Sequence, residues 1–443
     1  MYLLYTCVVL VLFVVLAPYF VYQALRYRKY VISLRQRLGY LPVSFNFDGE
    51  ESIWIHAVSV GEALTARAIV GELKKRYPGL RLFVSTTTIA GQQVASREIK
   101  DADALFYFPI DFPFIVNRTL RLVKPRLFIM METEIWPCLL RACRREGVRT
   151  AVANGRISSR SYPRYRLVRP LFRRVLADVD RFCMQSRESA DRLIDLGADP
   201  ARVIVTGNLK FDALPAATTL GPDRGMHRVL RFFRVPENRP VVIAGSTMRG
   251  EEIVVLRAFE RVRAHAPRAL LVIAPRHPER FDEVERLARD EGFRTVRRSQ
   301  LTIDEDPPAD VVVLDTIGEL AHLYRVGTIV FVGGSLVPTG GHNILEPAAF
   351  GRPILFGPHM QNFAEIAATF LEANAAMQVR DEWELEAAFR ELLGDPARRN
   401  ALGRAAQAIV DANHGARERT LEAIAALLPP GGASKLRPFR IVR

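Results

Sequence analysis

One acidic side chain follows an apolar run at the start of a helical pattern, where it is placed to move a proton. The run Ile53–Val58 leads through Ser59 and Gly61 to Glu62, and Gly61 permits the tight turn that such a junction needs. A carboxylate in the first helical turn after a strand is well placed to act as a general base. The helix N-terminus predicts a lowered pKa and an ionised carboxylate. The alternative interpretation is that Glu62 only complements the helix dipole.

A second group of charged residues follows later apolar runs in the first half of the chain. Met131–Pro137 contains Glu132 and Glu134, and Gly207–Asp212 contains Lys210. A lysine there could offset negative charge on a leaving phosphate, although a surface lysine is the simpler interpretation. The sequence has no HExxH motif and no paired His–Cys cluster, so we expect no metal ion and no cofactor.

The second half of the chain carries groups that suit a nucleotide. Gly245–Thr247 precedes a helix start, where free backbone N–H groups favour an anion. Arg276 and His277 suit a phosphate or a carboxylate. Gly333–Ser335 and Gly340–Asn343 allow a close approach of the backbone to a ligand. All of these residues follow predicted strands.

Glu346 lies in a helix that Asn343 or His342 is expected to cap, and its carboxylate could accept hydrogen bonds from ribose hydroxyls. Taken singly, each of these groups is an ordinary turn, solvated pair or surface acid; their convergence on consecutive strand ends favours a nucleotide site. The absence of GxxxxGK[ST] excludes a P-loop ATPase. The absence of a strict GxGxxG between a strand and a helix argues against a dinucleotide dehydrogenase.

Short apolar runs alternate with amphipathic helical patterns after Pro42, which predicts an α/β chain with parallel sheets covered on both faces. The stretch 212–222 is loop-like and divides the runs into two series, so we expect two Rossmann-like halves with a ligand cleft between them. The runs predicted as strands are Ile53–Val58, Leu80–Ser85, Leu127–Met130, Val148–Val152, Phe182–Met184, Val203–Val205, Pro240–Ala244, Leu270–Ala274, Val311–Leu314, Ile329–Val332 and Pro353–Phe356.

The N-terminal segment Met1–Leu25 contains no charged residue and is long enough to cross a bilayer, which takes about 20 apolar residues. It lacks the basic start and the small-residue cleavage site of a signal peptide. Basic residues follow it, among them Arg26, Arg28 and Lys29, so the positive-inside rule predicts an uncleaved anchor with the remaining chain in the cytoplasm. The alternative is a hydrophobic helix lying in the membrane interface.

The chain is basic, with 62 Lys and Arg against 48 Asp and Glu and a net charge of +14. Such an excess indicates nucleic acid, an anionic membrane surface or a phosphorylated substrate as partner. Seven arginines and no acid lie between Arg156 and Arg174, a segment called the basic stretch below. We expect it to meet anionic lipid headgroups; a solvated helix face and nonspecific nucleic-acid binding are the alternatives. The four cysteines form no CxxC pair, which fits a reducing compartment.

Taken together, these motifs resemble those of the 3-deoxy-D-manno-octulosonic acid (Kdo) transferases. The resemblance implies two Rossmann-like domains of the glycosyltransferase B fold behind an N-terminal transmembrane helix. It divides the chain into a membrane anchor with a basic juxtamembrane segment (1–40), an acceptor domain (41–215) and a donor domain (216–430). The matching segments are Ile53–Glu62, Glu132–Pro137, Asn154–Ser158, Gly207–Asp212, Pro275–Pro278, Thr316–Leu320 and Gly340–Pro347.

The resemblance also implies a reaction and its site residues. Kdo would pass from CMP-Kdo to a tetraacyl lipid A precursor, with inversion and release of CMP, in lipopolysaccharide biosynthesis at the cytoplasmic face of the bacterial inner membrane. Glu62 is implied as the base, and Glu132 and Lys210 as transition-state-stabilising residues, with Glu134 as an alternative to Glu132. The implied donor-binding residues are Pro275, Arg276, Ile317, Gly318, Glu319, Asn343, Ile344, Leu345 and Glu346.

The partners expected from this resemblance are CMP-Kdo, the lipid A precursor and an anionic membrane surface, with no nucleic acid. Two other classes of protein fit part of the sequence. A nucleotide-sugar epimerase would share the fold but needs neither a membrane anchor nor a lipid-facing arginine face. A non-catalytic, membrane-tethered nucleotide-binding scaffold would keep the donor loops without needing Glu62 and Glu132.

Overall fold

Two parallel sheets of seven strands each organise the chain. The computed structural model describes residues 31–428 except 47, 159–160, 213–229 and 237, together with scattered positions among the first 15 residues. One unit comprises residues 1–213 and 415–443, and the other comprises residues 214–414. The prediction of an α/β chain with two parallel sheets is confirmed.

The sheet of the first unit is built from strands that are mostly apolar on both faces. In β1 every residue is buried, because a strand with helices on both sides of its sheet has no solvent-facing side. The strand order is β3-β2-β1-β4-β5-β6-β7. The strands are β1 (Ser52–His56), β2 (Arg81–Thr86), β3 (Ala104–Tyr107), β4 (Pro125–Met131), β5 (Arg149–Gly155), β6 (Arg181–Met184) and β7 (Val203–Val205).

Helices connect consecutive strands of this sheet. Prolines in the first turn of α4 and α5 suit the start of a helix, and Gly147, with a φ of +75°, ends α5 in the left-handed conformation. The helices are α1 (Val31–Arg37), α2 (Val60–Arg76), α3 (Ile89–Glu98), α4 (Pro113–Val123), α5 (Pro137–Glu146), α6 (Tyr162–Leu167), α7 (Arg169–Leu176) and α8 (Arg187–Asp195).

The second unit repeats the arrangement with the strand order β10-β11-β9-β8-β12-β13-β14. Its strands are β8 (Val241–Thr247), β9 (Leu270–Pro275), β10 (Thr295–Arg297), β11 (Val311–Val313), β12 (Ile329–Val332), β13 (Ile354–Phe356) and β14 (Met377–Gln378). Its helices are α9 (Glu251–Arg263), α10 (Phe281–Asp290), α11 (Leu320–Leu323), α12 (Leu345–Ala349), α13 (Ala364–Glu372), α14 (Glu382–Gly394) and α15 (Pro396–Asn413).

The last described helix, α16 (Ala416–Ala425), returns to the first unit. Its Leu421 and Ile424 are 1% and 0% exposed and belong to the hydrophobic cluster that contains Ile55 of β1. This division differs from the sequence expectation, which extended the donor domain to residue 430. The apolar face of α16 accounts for the difference, since it is buried against the first unit.

The sequence pattern did not predict three strands, and all three lie at sheet edges. β3, β10 and β14 have four, three and two residues and each pairs with one neighbour only. β10 and β14 are too short, with one apolar residue each, to show a strand pattern. β3 is wholly apolar, so the sequence did carry a signal for it that was missed.

Most of the predicted anchor, Met1–Leu25, lies outside the described residues. Of its described positions, Tyr2 donates its hydroxyl hydrogen to Asp178 (2.5 Å) and Tyr5 donates to Asp111 (3.1 Å), both in the first unit. Across the described part of the chain, no helix combines the length and the apolar character that a membrane crossing requires.

Candidate active site

Glu62 lies in the first turn of α2, just beyond the carboxyl end of β1. The residue is only 7% exposed. One carboxylate oxygen accepts a hydrogen bond from the N–H of Val58 (2.9 Å), and the other accepts one from the hydroxyl of Ser59 (3.0 Å). The turn between strand and helix therefore folds around the carboxylate and fixes it at the edge of the sheet.

The environment of Glu62 gives it an unusual acidity. Burial, together with the negative charges of Glu132 and Glu134, raises the pKa of Glu62 to about 7, although the hydrogen bonds from Val58 and Ser59 act in the opposite direction. The predicted lowering of its pKa is wrong, because loss of water and two neighbouring acids outweigh the helix N-terminus. A carboxyl group with this pKa is partly ionised near neutral pH and still basic, which suits proton abstraction.

Lys210 forms an ion pair with Glu132 in the same part of the first unit. Its Nζ lies 3.5 Å from Oε1 of Glu132, and both side chains are mostly buried. Glu134 has no hydrogen-bond or ion-pair partner among the described residues, and burial and the charge of Glu132 raise its pKa to about 7. Of the two candidate carboxylates, Glu132 is therefore the partner of the lysine. The structure brings together the residues Glu62, Glu132, Glu134 and Lys210 that the sequence singled out.

Asn154 at the end of β5 supports this cluster, a role that the sequence analysis did not assign. The residue is fully buried, and its Oδ1 accepts a hydrogen bond from the N–H of Leu209 (2.8 Å), next to Lys210. Asn154 and Glu132 have φ values of +58° and +54°, a left-handed conformation that non-glycine residues seldom adopt. Two adjacent strands thus end in unusual backbone conformations that set the direction of the chain at the site. The sequence signal was the family-like segment Asn154–Ser158, which begins within β5.

In the second unit, the loop after β9 carries an exposed cation. Pro275 is buried as the last residue of β9, whereas Arg276 and His277 are exposed. The N–H of Arg276 donates to the carbonyl of Thr247 (2.9 Å), which ties the loop to the end of β8. Burial and the charges of Arg276 and His277 lower the pKa of His342 to about 4. His342 is therefore neutral at pH 7, and it lies close enough to Arg276 and His277 for their charges to lower its pKa.

The predicted donor segment Ile317–Glu319 follows β11 as a tight loop. Gly318 has a φ of +87°, and the Ile317 side chain is 83% exposed. The Glu319 carboxylate accepts hydrogen bonds from Arg298 (2.9 Å) and Thr316 (2.7 Å). Its charge is thus already paired with Arg298, which follows β10, and this leaves the backbone of the segment as the part best suited to a ligand.

The segment Asn343–Glu346 forms the start of α12. The cap expected of Asn343 or His342 falls instead on Ile344, which makes no side-chain cap hydrogen bond. Asn343, one residue earlier, accepts a hydrogen bond on Oδ1 from the N–H of Leu345 (3.1 Å), and its Nδ2 donates to Glu346 (3.2 Å). Ile344 and Leu345 are fully buried. Their side chains hold the segment in the core, so only their backbone groups can serve a ligand.

The loop Gly333–Ser335 holds a different group from the one expected. The N–H groups of Gly334 and Ser335 donate to the carboxylate of Glu251 at 2.6 and 2.9 Å, and Glu251 is fully buried. The glycines of this loop predict a ligand there, whereas the sequence pattern assigns Glu251 no role. The available signal was the Gly-Glu-Glu sequence at the start of α9, which follows β8 directly.

The two units offer different chemistry. The first can accept a proton on Glu62 and carries opposite charges on Glu132 and Lys210 beside it. The second presents the exposed guanidinium of Arg276, which can hold a phosphate, and the carboxylate of Glu346, which can accept hydrogen bonds from hydroxyl groups. In each unit these residues follow the carboxyl ends of parallel strands, the edge at which such sheets bind ligands.

Comparison with known proteins adds sequence relatives. A family model described as 3-deoxy-D-manno-octulosonic-acid transferase (kdotransferase) matches residues 33–213. The 3-deoxy-D-manno-octulosonic acid transferase of Haemophilus influenzae is 34% identical over 375 residues, a match that spans 84% of this chain and 86% of that protein. The protein of the same name from Bordetella pertussis is 35% identical over 390 residues, with shares of 84% and 86%.

Among solved structures, UDP-GlcNAc 2-epimerase from Neisseria meningitidis bound to UDP-GlcNAc is similar with a TM-score of 0.55. The sequences are 16% identical, and the match covers 85% of this chain and all of that one. At this identity the likeness concerns the fold alone, which is of the glycosyltransferase B type with two α/β units.

The raised pKa of Glu62 predicts a pH-dependent stability. The folded unit keeps Glu62 protonated up to about pH 7, whereas an unfolded glutamate releases its proton near pH 4.5, so stability falls as the pH rises through this window. The free energy of unfolding of Glu62→Gln, relative to that of the parent, should therefore increase by about 2 kcal/mol as the pH rises from roughly 5.5 to 8. Urea unfolding measured by the fluorescence of Trp54 and Trp136, both in the first unit, checks this.

A control variant is Glu146→Gln, which changes an exposed carboxylate at the end of α5. It should show no such pH dependence. An equal stability difference between Glu62→Gln and the parent at both pH values would contradict the raised pKa.

Proposed function

We infer the reaction from one premise: the chain belongs to the 3-deoxy-D-manno-octulosonic acid (Kdo) transferase family, whose members are glycosyltransferases. We propose that it transfers Kdo from CMP-Kdo to a tetraacyl lipid A precursor, with inversion at the anomeric carbon and release of CMP, in lipopolysaccharide biosynthesis. The observation that carries the proposal is the buried Glu62 carboxyl with a pKa of about 7, next to the Glu132–Lys210 ion pair.

In the proposed reaction, Glu62 acts on the acceptor. Its carboxylate removes the proton of a sugar hydroxyl while the hydroxyl oxygen attacks the anomeric carbon of Kdo. The new carbon–oxygen bond forms on the face opposite the phosphate, and the bond from the anomeric carbon to the phosphate oxygen breaks, so that its electron pair leaves with CMP. The base must be ionised at working pH and yet basic enough to take the proton, and a pKa near 7 meets both conditions.

Glu132 and Lys210 suit the charges that develop in this transition state. The sugar gains positive character, which a carboxylate stabilises, and the departing phosphate gains negative charge, which an ammonium group stabilises. Both side chains are mostly buried, so their fields are less screened than those of surface charges. We assign them to transition-state stabilisation and Glu62 to proton transfer.

We assign the second unit to the donor. CMP-Kdo carries a phosphate and a carboxylate, and Arg276 is exposed without an ion-pair partner in the described part of that unit, so its guanidinium suits either anion. Gly318 allows close backbone approach, and Glu346 suits the ribose hydroxyls. The reaction as written needs no metal ion.

We further propose that the protein works at the cytoplasmic face of the bacterial inner membrane. Within the basic stretch, Arg164, Arg173 and Arg174 are exposed on α6 and α7. A groove of about 1140 Å³ on the first unit is lined by Arg169, Arg173, Arg174 and Arg202, together with one acid, Asp199, and apolar residues. This charge suits anionic headgroups and a phosphorylated glycolipid. Arg160 of the stretch lies outside the described residues.

The contacts of Tyr2 and Tyr5 bear on how the N-terminal segment meets the membrane. A crossing of the bilayer from Met1 to Leu25 would carry Tyr2 about 30 Å from a cytoplasmic unit, yet its hydroxyl bonds Asp178 of that unit. Of the two interpretations of the N-terminal segment, a transmembrane anchor and a hydrophobic helix lying in the membrane interface, these contacts favour the second. We propose this interfacial arrangement for the anchor.

Loss of the base should abolish transfer and leave nucleotide binding intact. We expect Glu62→Gln to lower kcat by about 10²–10⁴-fold, with an unchanged Kd for CMP by calorimetry. Mass spectrometry after incubation with CMP-Kdo and the lipid A precursor measures CMP and the heavier lipid. The control Glu146→Gln should turn over normally. Near-normal turnover of purified Glu62→Gln would contradict the assignment.

The same incubation separates the other two classes of protein. An epimerase would convert the sugar nucleotide without acceptor, and a binding scaffold would change neither substrate. Formation of free CMP and of a lipid heavier by Kdo, dependent on both substrates, is the result expected here. The mass of the product also counts the Kdo units that are added.

Charge reversal in the basic stretch should weaken membrane binding. We expect Arg164→Glu with Arg173→Glu to reduce binding to anionic vesicles, since each basic residue near such a surface contributes about 1 kcal/mol. Arg257→Glu with Arg286→Glu, two exposed positions of the second unit, makes the same charge change as a control. Sedimentation with vesicles of anionic phospholipid measures the partition. Equal partition of both double variants would rule out a specific role of the stretch.

The two arrangements of the N-terminal segment predict different labelling of Cys7. Cys7 is exposed, whereas Cys138, Cys143 and Cys183 are buried, so a membrane-impermeant maleimide should react with Cys7 alone. In inverted inner-membrane vesicles, whose cytoplasmic face points outward, the interfacial arrangement predicts labelling, which Cys7→Ser should remove. Labelling only after detergent treatment would instead support a transmembrane crossing.

A further inference from the structure

Two adjacent acids begin α9, and the proposed reaction uses neither. Glu251 and Glu252 are 0% and 1% exposed. A buried carboxylate is costly unless hydrogen bonds or an opposite charge compensate for the lost water. The contacts of these two side chains therefore indicate what they do.

Glu251 is surrounded by backbone donors. Oε2 accepts hydrogen bonds from the N–H groups of Met248 (2.8 Å) and Gly334 (2.6 Å), and Oε1 accepts them from Ser335 (2.9 Å) and Leu336 (2.8 Å). Successive N–H groups that converge in this way form an anion site, which in many proteins receives a phosphate. In this chain a side chain of the protein itself fills the site.

The fit around Glu251 is close on every side. A Cβ added to Gly333 would lie 2.6 Å from the carbonyl oxygen of Ser246, 2.7 Å from Cα of Thr247 and 2.9 Å from Oε2 of Glu251. Gly334 has a φ of +67°, a conformation that glycine adopts without strain. The two glycines thus serve the contact between this loop and α9, the role that the sequence analysis gave to a ligand.

The loop held by Glu251 in turn holds the donor segment. The carbonyl of Gly334 accepts hydrogen bonds from the N–H of Gly341 (2.7 Å) and the hydroxyl of Thr339 (2.9 Å). Gly341 leads directly into Asn343–Glu346. The position of the start of α12 therefore depends on a loop that is fixed by a carboxylate on another helix.

Glu252 holds a second donor loop through an arginine. Its carboxylate receives Nη1 and Nη2 of Arg280 at 2.5 and 3.1 Å, and Arg280 is 8% exposed. The N–H of Arg280 donates to the carbonyl of His277 (3.0 Å). This bidentate ion pair fixes the C-terminal end of the loop that carries Arg276. The N-terminal end of the same loop is tied to the carbonyl of Thr247.

We propose that Glu251 and Glu252 are positioning residues of the donor site: Glu251 fixes the loop after β12 and Glu252 fixes the loop after β9 before the nucleotide arrives. The inference rests on the proposed function, because it takes these loops as the donor-binding loops. Neither acid contacts the donor; each acts through the loop that it holds. Preformed loops lose less conformational freedom on binding and so bind more tightly.

Hydrogen exchange of the unaltered protein tests the first half of this proposal without any activity. The amides of residues 334–336 should be protected in the nucleotide-free protein and gain little on addition of CMP, because Glu251 already binds them. If these amides exchange freely without nucleotide and become protected only with CMP, a ligand fills the site and the proposal is overturned. A protein that protects these amides yet binds no CMP would instead contradict the proposed function.

Two variants test the second half. Glu251→Gln replaces one acceptor oxygen with an amide group that opposes the N–H donors, and Glu252→Gln removes the nearer of the two charges that pair with Arg280, the other being Glu283 at 3.4 Å. Each should raise KM for CMP-Kdo about tenfold or more and leave both KM for the acceptor and the pH dependence of turnover unchanged. Exchange should quicken at residues 334–336 in the first variant and at 276–280 in the second.

Glu260→Gln provides the matched control, because Glu260 is exposed on the same helix. Its KM for CMP-Kdo and its exchange pattern should equal those of the parent. Faster exchange of either loop with an unchanged KM for CMP-Kdo would show that the acids stabilise the fold only and would overturn the positioning role. If a variant fails to fold, the exchange of residues 334–336 and of residues 276–280 in the unaltered protein, with and without CMP, still decides the proposal.

Discussion

Each unit buries a carboxylate in the first turn of the helix that follows its first strand, at the edge where all its parallel strands end. Glu62 occupies this place after β1, and Glu251 occupies it after β8. The surroundings differ in the number of hydrogen-bond donors. Glu251 receives four backbone N–H groups, whereas Glu62 receives one N–H and one hydroxyl and lies beside two further acids. The Glu251 carboxylate is fully compensated by these hydrogen bonds and holds a loop. The Glu62 carboxylate is not fully compensated and remains basic.

This difference explains how one architecture serves two tasks. In the first unit, burial of an under-compensated acid keeps its pKa near neutrality, and the Glu132–Lys210 pair adds charges of both signs. In the second unit, three acids bind other groups of the protein. Glu251 accepts hydrogen bonds from the backbone of a loop, Glu252 pairs with Arg280, and Glu319 pairs with Arg298. Arg276 is exposed after β9 and has no ion-pair partner among the described residues, which suits an anionic donor.

The sequence predicts the parts of this structure that depend on local pattern. Central strands such as β4 and β12 are long or wholly apolar and were predicted, and their ends place Glu132 and Gly333 correctly. The edge strands β10 and β14 each contain a single apolar residue and carry too little signal to be recognised, whereas β3 is wholly apolar and its signal was missed. The sequence could not predict the hydrogen bonds and the charge effects that come from residues distant along the chain. Three of the four donors to Glu251 lie 83 to 85 residues along the chain, and the pKa of Glu62 is set by burial and by acids on another strand end. The helix N-terminus alone predicted a lowered pKa of Glu62, the opposite of the raised pKa in the structure.

The central claim is that Glu62 transfers the proton with a pKa near neutrality. The pH dependence of kcat/KM tests it most directly, because that quantity reports the ionisation of groups in the free enzyme. We expect kcat/KM to rise with pH to a plateau, with its midpoint at about pH 7, and the midpoint to move to lower pH in Glu134→Gln, since the charge of Glu134 raises the pKa of Glu62. A midpoint near pH 4.5, the ordinary value for a glutamate, or a midpoint that Glu134→Gln leaves in place, would contradict this account.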